Sequence, residues 1–321
     1  MELALVLRDS DEIQTHAIEQ LLQTRIATYI AFGVLTAATW DWILALAEEC
    51  QIVKRRGGGR NLATLAYFLA RASSVILCVL TLIFYIGVPP GKNSCSAIFN
   101  GISAMVVLGN AAKAYIFFLR VRAVYFNSKL VTAFVGVGSF VMVCARMTIG
   151  LWVQSSPLGQ TGYCTVTSIG SLPIISLWLN VVYDTCIFIL TSVRLTSYSA
   201  TTTAPGRLYH IRGYGLPHTM RTLLQDGQLY YFITIVSVLS AAVIALLPVG
   251  IIYKAAFTVP AVVTETIMTC KVFRAMLIRS LSINQNVSVA PAESHLNDTE
   301  MGLVTSVDLQ NRLTCIEQDE V

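Results

Sequence analysis

The sequence predicts an all-α membrane protein, a bundle of seven transmembrane helices with the N-terminus outside and the C-terminus in the cytoplasm. Its 321 residues are 55% hydrophobic and 12% charged, which is about half the charged fraction of an average soluble domain. The apolar residues fall in long runs, and Lys and Arg collect in alternate connections between these runs. The net charge of +4 gives no reason to expect a nucleic-acid partner.

Seven runs are long and apolar enough to cross a membrane, which takes about 20 residues for a hydrocarbon core about 30 Å thick. A Pro-Val-Gly turn at residues 248–250 separates the last two runs. We expect an extracellular segment at 1–25, a transmembrane domain at 26–276 and a flexible cytoplasmic tail at 277–321. The polar connection at about 196–228 is also expected to be flexible. The predicted spans are residues 26–46, 62–83, 96–119, 130–152, 172–193, 229–247 and 251–271.

The basic residues predict the orientation, because Lys and Arg are retained on the cytoplasmic side of a membrane. The second loop holds Lys92 alone and the fourth loop holds no basic residue, whereas the first and third loops are basic. We expect this basic surface to contact anionic lipid and a cytoplasmic signalling protein, in a multi-pass protein of the plasma membrane. Its residues are Lys54, Arg55, Arg56, Arg60, Arg120 and Arg122.

Two of the eight cysteines are predicted to face the oxidising side of the membrane. Cys95 lies at the outer end of the third span and Cys164 lies in the fourth loop. Disulfides persist in that compartment, so we expect these two residues to be bonded. The alternative is a pair of free thiols that share a side of the membrane.

Ionisable residues inside membrane spans are costly and are functional candidates by default. Counted from the cytoplasmic ends of the helices, five of them lie at a depth of roughly 7 to 14 Å, so they could meet in one layer. Asn110 and Asn180 share the helix faces of two of these residues. Arg146 lies near the outer end of the fourth span, where it either extends to the surface or lines an outward cavity. The five residues in the layer are Asp41, Arg71, Lys113, Asp184 and Glu265.

Charge complementarity predicts partners within this layer. We expect Asp41 to pair with Arg71 on the neighbouring helix, and Lys113 to pair with either Asp184 or Glu265. A static ion-pair network and a switch that changes partners would both account for these residues.

The first two spans resemble a known family. The run Trp-Asp-Trp-Ile-Leu-Ala-Leu-Ala-Glu-Glu at residues 40–49, the basic residues 54–56 and Arg71 are similar to its N-terminal signature, and residues 119–125 are similar to its Arg-x-x-Ala-x-Tyr motif. This is a basidiomycete-type fungal family of seven-helix membrane proteins, known only as a domain of unknown function. The resemblance implies an integral membrane protein and no particular biochemistry.

Seven helices, an outer N-terminus and the expected disulfide favour a receptor-like protein that senses an external ligand. The alternative is a secondary transporter or proton-coupled carrier that uses the intramembrane charges, with Pro260 close to Glu265 as a broken-helix site. An intramembrane enzyme is least favoured, because all four histidines lie in predicted loops or tails. We therefore expect no catalytic residues, cofactor or metal.

Overall fold

The computed structural model describes residues 2–55, 62–87, 94–125, 128–157, 164–200 and 218–289. This part of the chain contains seven α-helices and one two-stranded antiparallel sheet. The elements are α1 (Glu2–Arg55), α2 (Leu62–Ile86), α3 (Ser94–Val124), α4 (Lys129–Trp152), β1 (Val153–Pro157), β2 (Cys164–Ile169), α5 (Ser171–Ala200), α6 (His218–Leu246) and α7 (Ile251–Val289).

Six of these helices contain a stretch long and apolar enough to cross a membrane. The seventh helix, α7, is not among the six and carries Lys254, Glu265 and Lys271 along its length. The six stretches are Ile18–Cys50, Leu62–Ile86, Ser94–Arg122, Lys129–Trp152, Ser171–Val193 and Leu229–Leu246.

The distribution of polarity is the reverse of that in a soluble protein. Large apolar side chains such as Leu130 (80% exposed) and Phe140 (71% exposed) cover the outside, whereas Lys113 (2%) and Arg146 (1%) are buried. Lysine and arginine are almost never fully buried in soluble domains, and in membrane proteins they face the bundle interior. Together with the six apolar helices, this pattern indicates a multi-pass integral membrane protein.

The helices form a closed ring in chain order. Each helix contacts the next one, and α7 returns to contact α1. Contacts of α3 with α5 and α7, and of α2 with α7, cross the interior of the ring. The apolar stretches of α2 and α3 are half buried, but that of α4 is only 17% buried, so α4 lies at the periphery.

Four helices extend well beyond the predicted spans. Helix α1 begins at Glu2 and includes the segment expected to precede the first span. Helices α5 and α6 extend into the connection expected at 196–228, which leaves residues 201–217 outside the described part. Helix α7 continues to Val289, so the beginning of the predicted tail is helical, and residues 290–321 lie outside the described part. Span prediction stops where apolar residues end, whereas a helix continues through polar residues with adequate helix propensity.

The strands β1 and β2 form a hairpin that the all-α prediction did not include. They pair antiparallel from Val153 with Ile169 to Pro157 with Cys164, with an irregularity after Gln154. We call the end of the bundle that carries this hairpin the hairpin end and the opposite end the far end. The connection between α4 and α5 thus satisfies much of its own backbone hydrogen bonding at the hairpin end.

The expected disulfide between Cys95 and Cys164 is confirmed. It joins the first turn of α3 to the start of β2, with the two Cα atoms 5.6 Å apart. Both cysteines belong to a buried apolar cluster with Phe84, Phe99 and Val166. The bond therefore fixes the hairpin against the ends of α2 and α3.

Candidate functional site

Arg71 is the centre of a buried set of charges that joins α1, α2 and α7, which we call the Arg71 cluster. Its Nη2 lies 2.8 Å from Asp41 Oδ2 and donates a second hydrogen bond, also 2.8 Å, to the Asp41 carbonyl oxygen. Its Nη1 lies 2.6 Å from Glu49 Oε1 and donates to the Tyr67 hydroxyl at 2.7 Å. Lys271 Nζ lies 3.3 Å from Asp41 Oδ1. The structure thus contains the expected pair of Asp41 with Arg71 as part of a larger cluster.

Three members of this cluster, Glu49, Tyr67 and Lys271, were not predicted from the sequence. Glu49 was missed because it lies beyond the end of the predicted first span. Helix α1 continues to Arg55, which keeps Glu49 on the same helix face as Trp42, two turns earlier. Trp42 Nε1 donates a 3.3 Å hydrogen bond to Glu49 Oε2, and the Tyr67 hydroxyl donates a 2.6 Å bond to Glu49 Oε1. The seven-residue spacing of Trp42 and Glu49 was the feature of the sequence that could have predicted their contact.

A second buried polar set, which we call the Arg146 cluster, joins α3, α4, α5 and α7. Lys113 Nζ lies 2.7 Å from Glu265 Oε1, although its angles are not those of a hydrogen bond. Asn180 Nδ2 donates to Asp184 Oδ2 at 3.0 Å and to Glu265 Oε2 at 3.5 Å. Of the two partners expected for Lys113, the structure contains Glu265. The cluster consists of Lys113, Arg146, Asn180, Asp184 and Glu265.

The single layer of five charges expected from the sequence is therefore two clusters. Glu265 and Lys271 are six residues apart on α7, which is about 9 Å along the helix. Each contacts a different cluster, so the charges from α1 and α2 meet α7 at another level than those from α3 and α5. Counting from predicted helix ends did not resolve this difference.

Arg146 belongs to the second cluster but has no direct partner there. None of the ion pairs in the described residues includes Arg146, and its Nε and Nη2 atoms are buried without a hydrogen-bond partner in that part of the protein. The carboxylates of Asp184 and Glu265 are close enough to interact with it electrostatically. Of the two placements expected for Arg146, extension to the surface is wrong, because the side chain lines a cavity inside the bundle.

This cavity lies at the hairpin end and has a volume of about 120 Å³. Six helices, α2 to α7, and both strands contribute to its mostly apolar wall. Three of the lining residues are each followed, three or four positions later on the same helix face, by a polar residue. These polar residues lie about one helix turn deeper in the bundle. These pairs are Val106 with Asn110, Leu177 with Asn180, and Val262 with Glu265. Arg146 itself lines the cavity, and the other residues of its cluster and Asn110 lie one or two helix turns deeper. We call this region the floor of the cavity.

The remaining predicted residues divide between the described part and the rest of the chain. Lys54 is exposed near the end of α1, where Arg55 is the last helical residue, and Arg122 is half-buried. Arg120 Nη1 donates a 2.8 Å hydrogen bond to the Tyr231 hydroxyl, and the guanidinium carbon lies 5.1 Å from the centre of that ring. This contact joins α3 to α6 at the far end. Arg56 and Arg60 lie outside the described residues.

The carboxylates of both clusters have hydrogen-bonding or ion-pair partners within the protein. Within the described residues, no group of three or more His, Cys, Asp or Glu side chains is arranged to hold a metal ion. The carboxylates of both clusters instead accept hydrogen bonds from Arg, Tyr, Trp and Asn or pair with Lys. Their chemistry is that of buried ion pairs.

The Arg71 cluster draws most of its side chains from one short stretch of the chain. Residues 29–76 match a family of unknown function, DUF6533. The matched segment contains Asp41, Glu49, Tyr67 and Arg71, so the contact of α1 with α2 through the Arg71 cluster lies entirely within it. No curated protein matches the chain.

Proposed function

We propose that the protein is a receptor with seven membrane spans, in which α7 is the seventh span and the hairpin end faces outside. Helix α7 has 39 residues, more than enough to cross a bilayer, and its contacts with α1 and α6 close the ring. Lys54 and Arg55, the last residues of α1, lie at the far end and favour a cytoplasmic location for that end. The proposal extends the DUF6533 resemblance to a whole fungal protein of the plasma membrane, with anionic lipid and a cytoplasmic signalling protein at its far end.

The observation that carries this proposal is the cavity under the hairpin. Ligand sites in helical bundles lie between helices, and they combine an apolar wall with a few placed polar groups. Here the wall comes from six helices, the disulfide holds the hairpin beside it, and buried charges form the floor. A ligand entering from the hairpin end would contact six of the seven described helices.

The charge clusters provide a route from this cavity to the far end. Glu265 pairs with Lys113 below the cavity, and Lys271 pairs with Asp41 on the same helix, about 9 Å further on. A change in the position of α7 at the cavity floor would alter the Arg71 cluster as well. This proposal assigns the protein no catalytic activity.

Topology mapping tests the orientation. A glycosylation reporter at residue 160, which lies between β1 and β2 in the sequence, should be modified. A reporter at residue 210 should remain unmodified, and it should be protected from protease in sealed, right-side-out plasma-membrane vesicles. An unmodified reporter at 160, or an exposed one at 210, would contradict external sensing. A reporter after residue 300 tests α7 as a span, because it should be protected together with residue 210.

A carrier is the second candidate, favoured by Pro260 inside α7, five residues before the buried Glu265. Proline removes one backbone hydrogen bond of a helix and allows it to bend. A carrier would move a solute into proteoliposomes in a manner that depends on Glu265, and a receptor would not. Comparing solute uptake by the natural chain and Glu265→Gln distinguishes the two.

A further inference from the structure

The floor of the cavity presents hydrogen-bond donors that lack acceptors. Arg146 Nε and Nη2 and Asn110 Nδ2 are all buried without a partner in the described part of the chain. Buried polar groups are nearly always hydrogen-bonded, so the two unpaired donors of Arg146, which lines the cavity, indicate a missing acceptor there. The arginine presents its N–H groups as a planar fork, which matches the two oxygens of a carboxylate.

The charges around the floor favour a monoanion. Lys113 and Arg146 balance Asp184 and Glu265, and Lys254 adds one positive charge on the cavity wall. One negative charge on a ligand would make the whole set neutral. A second negative charge would be unbalanced in a region of low dielectric constant close to two carboxylates.

The rest of the cavity indicates the body of the ligand. Its wall includes the aromatic rings of Phe84 and Phe99 and the aliphatic chains of Ile174 and Val259. A volume of about 120 Å³ is of the order of an engineered apolar cavity of about 150 Å³ that binds benzene. The occupant would therefore be small, with a single ring or a short alkyl chain.

We propose that this cavity binds a small amphipathic monocarboxylate, with its carboxylate accepting hydrogen bonds from Arg146 and its apolar body against the walls from α2, α3, α5 and α7. This inference rests on the proposed function, because it names the ligand class of the same cavity. Asn110 would donate to the same carboxylate or to a water beside it. Lys254, near the hairpin end of α7, would attract the anion on entry.

The test compares acids with their neutral amides on the purified full-length protein in lipid nanodiscs. The probes are phenylacetate and hexanoate, with phenylacetamide and hexanamide as controls of the same shape, and binding is measured by calorimetry and by the shift in melting temperature. The acids should bind at least about tenfold more tightly, because hydrogen bonds between two charged partners are the strong ones. Equal affinities for acid and amide, or no binding of either acid, would overturn the proposal.

Variants locate the interaction. Arg146→Met should reduce acid affinity about tenfold to a hundredfold, to the level of the amide, and Arg146→Lys should retain part of the preference. Arg120→Met is the matched control, because Arg120 is a partly buried arginine at the far end that does not line this cavity. Unchanged acid affinity in Arg146→Met would refute the role of Arg146.

One further variant covers the case in which Arg146→Met does not fold. Ala255→Leu fills the cavity and keeps every charge, so it should abolish binding of acid and amide alike. Acid binding that survives in Ala255→Leu would place the site elsewhere. A neutral compound that stabilises the natural chain but not Ala255→Leu would preserve the proposed receptor and refute the ligand class. A cytoplasmic hairpin end would refute the receptor, whatever binds in the cavity.

Discussion

Replacing Arg71 with leucine should reveal Glu49 as its principal partner. The substitution removes a guanidinium that contacts Asp41, Glu49 and Tyr67 at 2.6 to 2.8 Å in a buried site. Two carboxylates then remain without their shared cation. Asp41 keeps Lys271 Nζ at 3.3 Å, but Glu49 has no second cation within ion-pair distance among the described residues. Most of the damage should therefore come from Glu49.

The expected loss of stability depends on this difference between Asp41, which keeps a second cation, and Glu49, which does not. Breaking a buried ion pair by removing one partner costs about 3–5 kcal/mol. Polar contacts between membrane helices couple by about 0.6 kcal/mol on average and at most about 1.7 kcal/mol in double-mutant cycles. We expect Arg71→Leu to lower the free energy of unfolding by about 3 kcal/mol, with Glu49→Gln restoring more than about 1 kcal/mol of it. Asp41→Asn should restore less.

The assay is a pair of double-mutant cycles on the purified protein, with unfolding followed by circular dichroism in mixed micelles. Lys54→Leu is the control, because Lys54 is exposed and its loss should change stability by less than about 0.5 kcal/mol. Coupling below about 0.5 kcal/mol in both cycles, meaning additive damage, would refute the shared cluster. A larger coupling for Asp41 than for Glu49 would refute the ranking of partners.

Three further predictions address other contacts. Cys164→Ser opens a crosslink between residues 69 apart and should lower the free energy of unfolding by about 4 kcal/mol, as measured by chemical unfolding, with no added effect of dithiothreitol on the variant. Gly109→Ala places a Cβ 2.7 Å from Ser73 Oγ and should lower the melting temperature, by an amount that Ser73→Ala largely restores. Tyr231→Phe removes the hydrogen bond from Arg120, and should cost about 1 kcal/mol and increase amide exchange in α6 without changing ligand affinity at the cavity.

The membrane helices were predictable because lipid imposes a long apolar run on every span. Six of the seven predicted runs coincide with helices that meet the requirements of length and composition. The disulfide was predictable because topology reduced eight cysteines to the two on one side. Residues 153–169 did not predict their hairpin, since two short strands at a helix end give little periodic signal.

The sequence predicted most of the charged residues in the clusters, but it did not predict the full set of contacts between them. Intramembrane charges must be paired, which made Asp41 with Arg71 a reasonable expectation from neighbouring helices. The contributions of Glu49 and Lys271 depend on how far α1 and α7 extend and how they cross, which is tertiary information. The unpaired donors of Arg146 likewise depend on which helix faces it across the cavity.

The return of α7 to α1 has a thermodynamic consequence. Because Glu265 and Lys271 belong to one continuous helix, occupancy at the hairpin end and occupancy at the far end would be linked functions of the same α7 position. Linkage is reciprocal. In the proposed receptor, a cytoplasmic partner that prefers one position of α7 would change the affinity of the ligand by the same factor by which the ligand changes the affinity of that partner. Ligand affinity measured on the isolated protein would then describe only one of two coupled affinities.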